Sequence, residues 1–96
     1  MKAIIVVHGG AGLIPDARVE HKLRGVKAAA RSGARCLLAT RNGRQAVCTA
    51  VSSMEDDPYF NTGLGSVLNE DGEVEMDAAL MDGRDLALGG VGAVGM

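Results

Sequence analysis

The sequence has no tryptophan, one tyrosine and one phenylalanine among its 96 residues. Any core must therefore rest on Ala, Val, Leu, Ile and Met and will be short of large side chains. Cysteine is equally sparse. Cys36 and Cys48 stand twelve positions apart, with no CxxC pair and no neighbouring histidine, which fits neither a zinc site nor a disulfide scaffold and reads as reduced, partly buried thiols. Long hydrophobic runs are absent too: Ala3–Val7 near the N-terminus is too short for a signal-peptide core or a membrane span. No membrane partner is expected, and a cytoplasmic location is the default. The length permits one small domain with a modest core.

Net charge is small, at −2, but it is unevenly placed: residues 1–50 carry nine Lys/Arg against two Asp/Glu, and residues 51–96 carry one against ten. A basic segment can serve nucleic acid. Here no aromatic is interleaved with the basic residues and an acidic half follows at once, so a mutually screened or solvated surface is the reading adopted and no nucleic acid is expected.

Ala3–Val7 is a continuous, largely β-branched run stopped by His8-Gly9-Gly10-Ala11-Gly12; it predicts a strand buried on both faces, then a tight glycine loop. Such a loop can turn N–H groups toward an anion or simply let a strand exit sharply, and the residues alone do not choose. His8 reads as a hydrogen-bonded structural histidine and His21 as solvated. From Asp16 to about Leu38, Val19, Leu23, Val26, Ala30, Ala34 and Leu37 recur at helical spacing, with Asp16 as the expected N-cap. Arg41-Asn42-Gly43 ends that helix. A second is predicted over Arg44 to about Met54, with Val47, Ala50, Val51 and Met54 as its apolar stripe.

Residues 54–83 hold most of the chemistry. Glu55–Gly65 mixes carboxylates, a proline, two aromatics and two close glycines, the composition of a loop held in one unusual shape. Asp71-Gly72 signals a two-residue hairpin turn. Pairing outward from it sets Val67 opposite Met76 and Asn69 opposite Val74 on an apolar face, and Leu68 opposite Glu75 and Ser66 opposite Asp77 on an acidic one. Met81-Asp82-Gly83 turns the chain again, and Leu86–Val94 predicts a further strand.

Two motif readings fail. Gly90–Gly95 spells GxGxxG, but neither the helix that should hold a pyrophosphate nor the later acidic residue follows. An EF-hand needs Asp five positions before its Gly, whereas Gly63, Gly65, Gly72 and Gly83 are preceded there by Pro58, Phe60, Val67 and Ala78. No P-loop, HExxH or GxSxG occurs.

Taken together, His8-Gly-Gly-Ala-Gly12, then Glu55-Asp-Asp-Pro-x-Phe60-Asn61-x-Gly-x-Gly-Ser-Val-Leu-Asn69, then Gly72-Glu-Val-Glu-Met-Asp77-Ala and Met81-Asp-Gly83 resemble the isoaspartyl peptidase and plant-type L-asparaginase family of N-terminal nucleophile hydrolases. The likeness is thinnest over Ser32–Ser53, where Thr40, Arg41 and Gln45 stand in place of the family's Gly-rich start and helical Asp. The resemblance implies an α/β (α+β) fold that is part of a four-layer αββα sandwich. It also implies autoproteolysis at a Gly-Thr bond and a threonine freed at the new N-terminus, whose α-amino group can act as its general base. Thr40, Thr49 and Thr62 follow Ala39, Cys48 and Asn61, so none qualifies. Gly89–Val94 looks like the nucleophile run with Gly in place of Thr, but it fits the small-residue strand that follows Met-Asp-Gly in the family. Residues 1–96 are therefore expected to be the N-terminal part of the α-subunit region of one asparaginase-like domain, stopping before the nucleophile and inactive alone.

Other roles follow only from the likeness. Asn61 would donate its amide to the oxyanion of the tetrahedral intermediate; by its residue type alone it could equally serve a tight loop. The carbonyls of Met54, Glu55, Asp57, Phe60, Thr62 and Leu64 would wrap a structural sodium ion, with no cofactor needed for catalysis. Gly9 and Gly10 resemble a mobile loop used in activation. Implied partners are L-asparagine and β-aspartyl peptides, the protein's own β-subunit, and further αβ units in a homo-oligomer. The alternative is a non-enzymatic truncated product or a subunit-interaction fragment, whose uncovered edges and apolar faces would favour self-association.

Overall fold

The computed structural model describes residues 2–95. They form an α+β arrangement of two helices followed by a two-stranded antiparallel sheet, α1 (Asp16–Thr40), α2 (Gly43–Glu55), β1 (Met76–Asp82) and β2 (Ala87–Val94). α1 begins at Pro15, whose carbonyl accepts from Arg18 N–H at 2.8 Å. Asp16 is thus the first helical residue and not the expected cap, and makes no capping hydrogen bond. Its carboxylate still lies at the positive end of the helix dipole. At the other end Arg41 adopts a left-handed conformation (φ 52°), and its N–H donates to Leu37 O at 2.8 Å. The next residue starts α2: Asn42 Oδ1 accepts from Gln45 N–H at 3.2 Å, supplying one of the partners a helix N-terminus lacks.

The helices meet through small residues. α1 buries Gly25, Ala29 and Gly33, and α2 buries Ala46, Ala50 and Met54; each set repeats every four residues, along one ridge. A Cβ on Gly33 would run into the Ala46 carbonyl and the side chains of Ile5 and Ala50, so glycine sets how closely the helices approach. The predicted stripes are displaced accordingly. Val19, Leu23, Val47 and Val51 are exposed, and of the positions expected to be apolar contacts Ala50 and Met54 are buried.

The N-terminal run is extended but pairs with no strand among the described residues. Ala3, Ile5, Val7 and Gly9 are half-buried against the helices while Ile4 and Val6 are exposed. One face is covered, where burial on both was expected, because the helix pair lies on one side only. Val7 and Val26 flank the cluster of Ala29, Met54 and Phe60.

The sheet hairpin lies elsewhere than expected. Asn69 Oδ1 accepts from both Asp71 N–H and Glu73 N–H at 2.9 Å, and Asn69 N–H donates to Glu73 O at 2.8 Å. This closes a three-residue loop with Asn69 opposite Glu73 rather than Val74. Only Gly72 (φ 77°), and not Asp71, takes the positive φ that a two-residue turn needs at both positions. A one-residue slip exchanges the faces of a strand, so the proposed apolar and acidic faces do not form. The ladder runs instead between β1 and β2, from Asp82 opposite Ala87 to Ala78 opposite Val91. Its turn is stabilised by Asp82 Oδ1, which accepts from Arg84 N–H, and by Asp85 Oδ1, which accepts from Ala87 N–H. Near Met76 the register shifts through a bulge, where Ala93 (φ 52°) donates its N–H to Asp77 Oδ1 at 2.9 Å.

The hairpin meets α2 through β1 and does not reach α1. The radius of gyration is 14.6 Å, against about 12.5 Å for a compact domain of this length. Leu88, Val91 and Val94 remain exposed. The basic and acidic halves meet at Arg44 Nε and Asp82 Oδ2, 3.4 Å apart, an exposed guanidinium on a half-buried carboxylate. Both cysteines are free; Cys36 is half-buried, but Cys48, expected to be partly buried, is exposed.

Candidate active site

The loop leaving α2 is shaped by its own main chain. Asp57 N–H donates to Met54 O, Phe60 N–H to Asp57 O, and Leu64 N–H to Glu55 O at 2.7 Å. Asp57 also accepts Tyr59 N–H on Oδ1 at 2.9 Å, the side-chain turn that lets an aspartate reverse a chain. Ser66 closes the loop, its N–H donating to Gly63 O and its hydroxyl to Asn61 O at 3.1 Å. Gly65 is needed sterically, because a Cβ there would collide with the carbonyl oxygens of Pro58 and Phe60.

Asn61 is exposed at the edge of this loop. It lines a concavity with Thr62, Ser66, Glu75, Met76 and Asp77, and its main-chain carbonyl is held by the Ser66 hydroxyl. Phe60, immediately before it, is buried against the position where Gly25 lacks a side chain. Gly9 lies against the same ring and against Val26. Gly10 takes φ 113° and donates its N–H to His8 Nδ1 at 3.2 Å. Gly9 and the Asn61 loop, distant in sequence, thus share one aromatic side chain.

The candidate cation ligands gather on the same loop. The carbonyls of Met54, Glu55 and Asp57 accept loop N–H groups, while a Cβ on Gly63 would meet the Glu55 carbonyl as one on Gly65 meets that of Phe60. Main-chain oxygen thus packs against Gly63 and Gly65 at positions that only glycine leaves open. Among the described residues no group of three or more His, Cys, Asp or Glu side chains could hold a metal ion.

Several contacts were not read from the sequence. His21, expected to be solvated, stacks on Tyr59 with ring centroids 4.2 Å apart and planes within 5°. Arg18 Cζ lies 5.7 Å from the Tyr59 centroid, and Lys22 Nζ lies 5.1 Å from that of Phe60. The signal was available in the i, i+3, i+4, i+7 spacing of Arg18, His21, Lys22 and Gly25, but a polar helix face reads as solvated unless something is known to cover it.

The structure is thus a short α+β unit that carries a polar loop with an exposed asparagine, and a glycine segment packs beside that loop. The chain belongs to the asparaginase family, whose model matches residues 1–96. It is 54% identical over 94 residues to an isoaspartyl peptidase/L-asparaginase of Danio rerio, covering 98% of this chain and 30% of that protein. Similar proteins of the same name occur in Macaca fascicularis, at 53% identity over 95 residues, and in Homo sapiens, at 52% over 95; each alignment covers 98% of this chain and 31% of the relative. The chain thus spans about a third of the length of these relatives. Among the described residues no helix is long and apolar enough to cross a membrane.

Proposed function

We propose that residues 1–96 are the leading part of the α-subunit region of a cytoplasmic enzyme that hydrolyses β-aspartyl peptides and L-asparagine. In this reading a terminal threonine, freed by autoproteolysis, lies in the portion of the protein beyond these residues, and the chain alone is inactive. Asn61 supplies an oxyanion donor, and Gly9 and Gly10 give the backbone beside the cleavage site room to move. The observation that carries the reading is identity above 50% to isoaspartyl peptidase/L-asparaginases over nearly the whole chain, coinciding with an exposed asparagine on a main-chain-fixed loop. The apolar surface of Ile4, Val6, Leu88 and Val91 supports a remaining sandwich and a β-subunit that cover it, with homo-oligomers of αβ units a further part of the reading.

The amide donor works by charge. As the nucleophile adds, the carbonyl oxygen of the substrate becomes negative, and a fixed N–H stabilises it more than it stabilises the ground state. Full-length protein is expected to release aspartate from β-aspartyl dipeptides and ammonia from L-asparagine after self-cleavage, whereas the 96-residue chain is expected to do neither. Mass spectrometry of the processed chains together with an aspartate-release assay checks both. Uncleaved, inactive full-length protein would remove the proposal.

Sodium belongs to the same reading, held by the carbonyls of Met54, Glu55, Asp57, Phe60, Thr62 and Leu64. When bound, the ion supplies structural bracing of the loop. A ligand bound only by the native state stabilises it by about 2.7 kcal/mol at a hundred times its Kd. The melting temperature is therefore expected to rise in sodium chloride relative to choline chloride at equal ionic strength, and equal melting temperatures would sink the sodium assignment.

A further inference from the structure

The loop's internal hydrogen bonds fix its shape but not its placement on the rest of the fold. Placement comes from one face of α1. Arg18, His21, Lys22 and Gly25 occupy i, i+3, i+4 and i+7, one side of a helix, and this side receives Tyr59 and Phe60, the two residues before Asn61. His21 stacks flat on Tyr59 at 4.2 Å, and Arg18 approaches the same ring. Lys22 is half-buried and bridges two elements: its Nζ lies 5.1 Å from the Phe60 centroid and donates to Gly9 O at 3.5 Å. Gly25 leaves room for the Phe60 ring and the Asp57 carboxylate.

Resting on the oxyanion role of Asn61, we infer that His21 and Lys22 are positioning residues for this amide. The His21–Tyr59 stack pins the loop to α1, and Lys22 ties the Gly9 segment to the same loop. Neither side chain needs to touch the substrate. Each acts by limiting how far the Asn61 amide can drift from the place where negative charge develops, and a displacement of about 1 Å can cost as much as 10²-fold in rate. Stacked aromatic rings attract beyond the burial of their area, and an ammonium over a ring face adds electrostatic attraction.

The test uses full-length protein, with Asn61→Ala made alongside. His21→Ala is expected to lower kcat about tenfold with KM within about twofold, because the amide it places acts in the transition state. His21→Phe keeps the stack without the ring nitrogens and is expected to bring kcat back to within about twofold of the parent. On an Asn61→Ala background, His21→Ala is expected to cost nothing further, since its effect runs through that amide. An unchanged kcat in His21→Ala while Asn61→Ala is slow overturns the positioning role and leaves the oxyanion role standing; an unchanged Asn61→Ala rate overturns both. If His21→Ala fails to fold, His21→Phe is compared with His21→Gln: a fast Phe and a slow Gln variant support the role, and equal rates overturn it. The stack also has its own signature in the NMR spectrum, where the His21 ring protons are expected upfield and Tyr59→Leu is expected to move them downfield. No such change in folded protein overturns the inference.

Discussion

Asn61→Ala in full-length protein is expected to lower kcat by about 10²–10³ with little change in KM, the loss typical when one oxyanion donor is removed. The split between the two constants follows from when the interaction is made. A neutral carbonyl accepts a hydrogen bond weakly and the oxyanion strongly, so an amide in the proposed role lowers the barrier without deepening the ground-state complex. The structure gives this variant a further property. Asn61 is exposed, and its held atom is the main-chain carbonyl, which accepts from the Ser66 hydroxyl and is retained in alanine. Thermal stability is therefore expected to stay within about 0.5 kcal/mol of the parent, as for surface substitutions generally. Aspartate release from a β-aspartyl dipeptide, measured across substrate concentration beside a melting curve, checks both halves. A rate within a few-fold of the parent would end the oxyanion assignment. A large fall in melting temperature would mean that the residue serves the loop's shape.

The helices were legible because their signals are local. Apolar and small residues recur with helical spacing, and Arg41-Asn42-Gly43 supplies both a C-terminal stop and, through Asn42 Oδ1, a new start. The second strand was legible for a similar reason, since Asp82 and Asp85 flank a turn that their own side chains stabilise. Which face is buried was not legible. The sequence offers Val19, Leu23 and Val47 as the large apolar residues, yet contact falls on Gly33, Ala46 and Ala50, because two helices that approach closely exclude side chains at their crossing. The displaced hairpin register has a different cause. Asn69 engages two N–H groups at once, and that side-chain choice outweighed the Asp71-Gly72 pair.

In the candidate site, Asn61 and its glycine-rich loop were visible through family likeness, whereas the α1 face that holds the loop was not. The spacing of Arg18, His21 and Lys22 reads as a solvated helix face, because their partners stand thirty-eight to forty-one residues later. Chain separation between Tyr59 and His21 hides the stack from any local pattern, and only the fold brings them to 4.2 Å.

Phe60 is the place where a single substitution should do most harm to stability. It is 4% exposed, the only phenylalanine in the sequence, and part of the cluster with Ala29 and Met54 against which Val7 and Val26 pack. Removing a buried phenylalanine side chain costs about 3–5 kcal/mol, the higher end applying when neighbours cannot relax into the space. Here two of the walls are Gly9 and Gly25, which have no side chains to move inward, and two more, Ala29 and Val26, are short. Phe60→Ala is thus expected near the upper end, a loss comparable with the whole stability of a small domain, while Phe60→Leu should cost roughly half as much. Urea unfolding followed by far-ultraviolet circular dichroism measures this, and an unchanged midpoint for Phe60→Ala would contradict the packing described. Set beside Asn61→Ala, the pair separates two kinds of loss at adjacent positions. The alanine at 61 should slow turnover in a protein that melts normally. The alanine at 60 should lower the melting temperature and, because the same ring seats the Gly9 segment and the loop, should slow turnover as well.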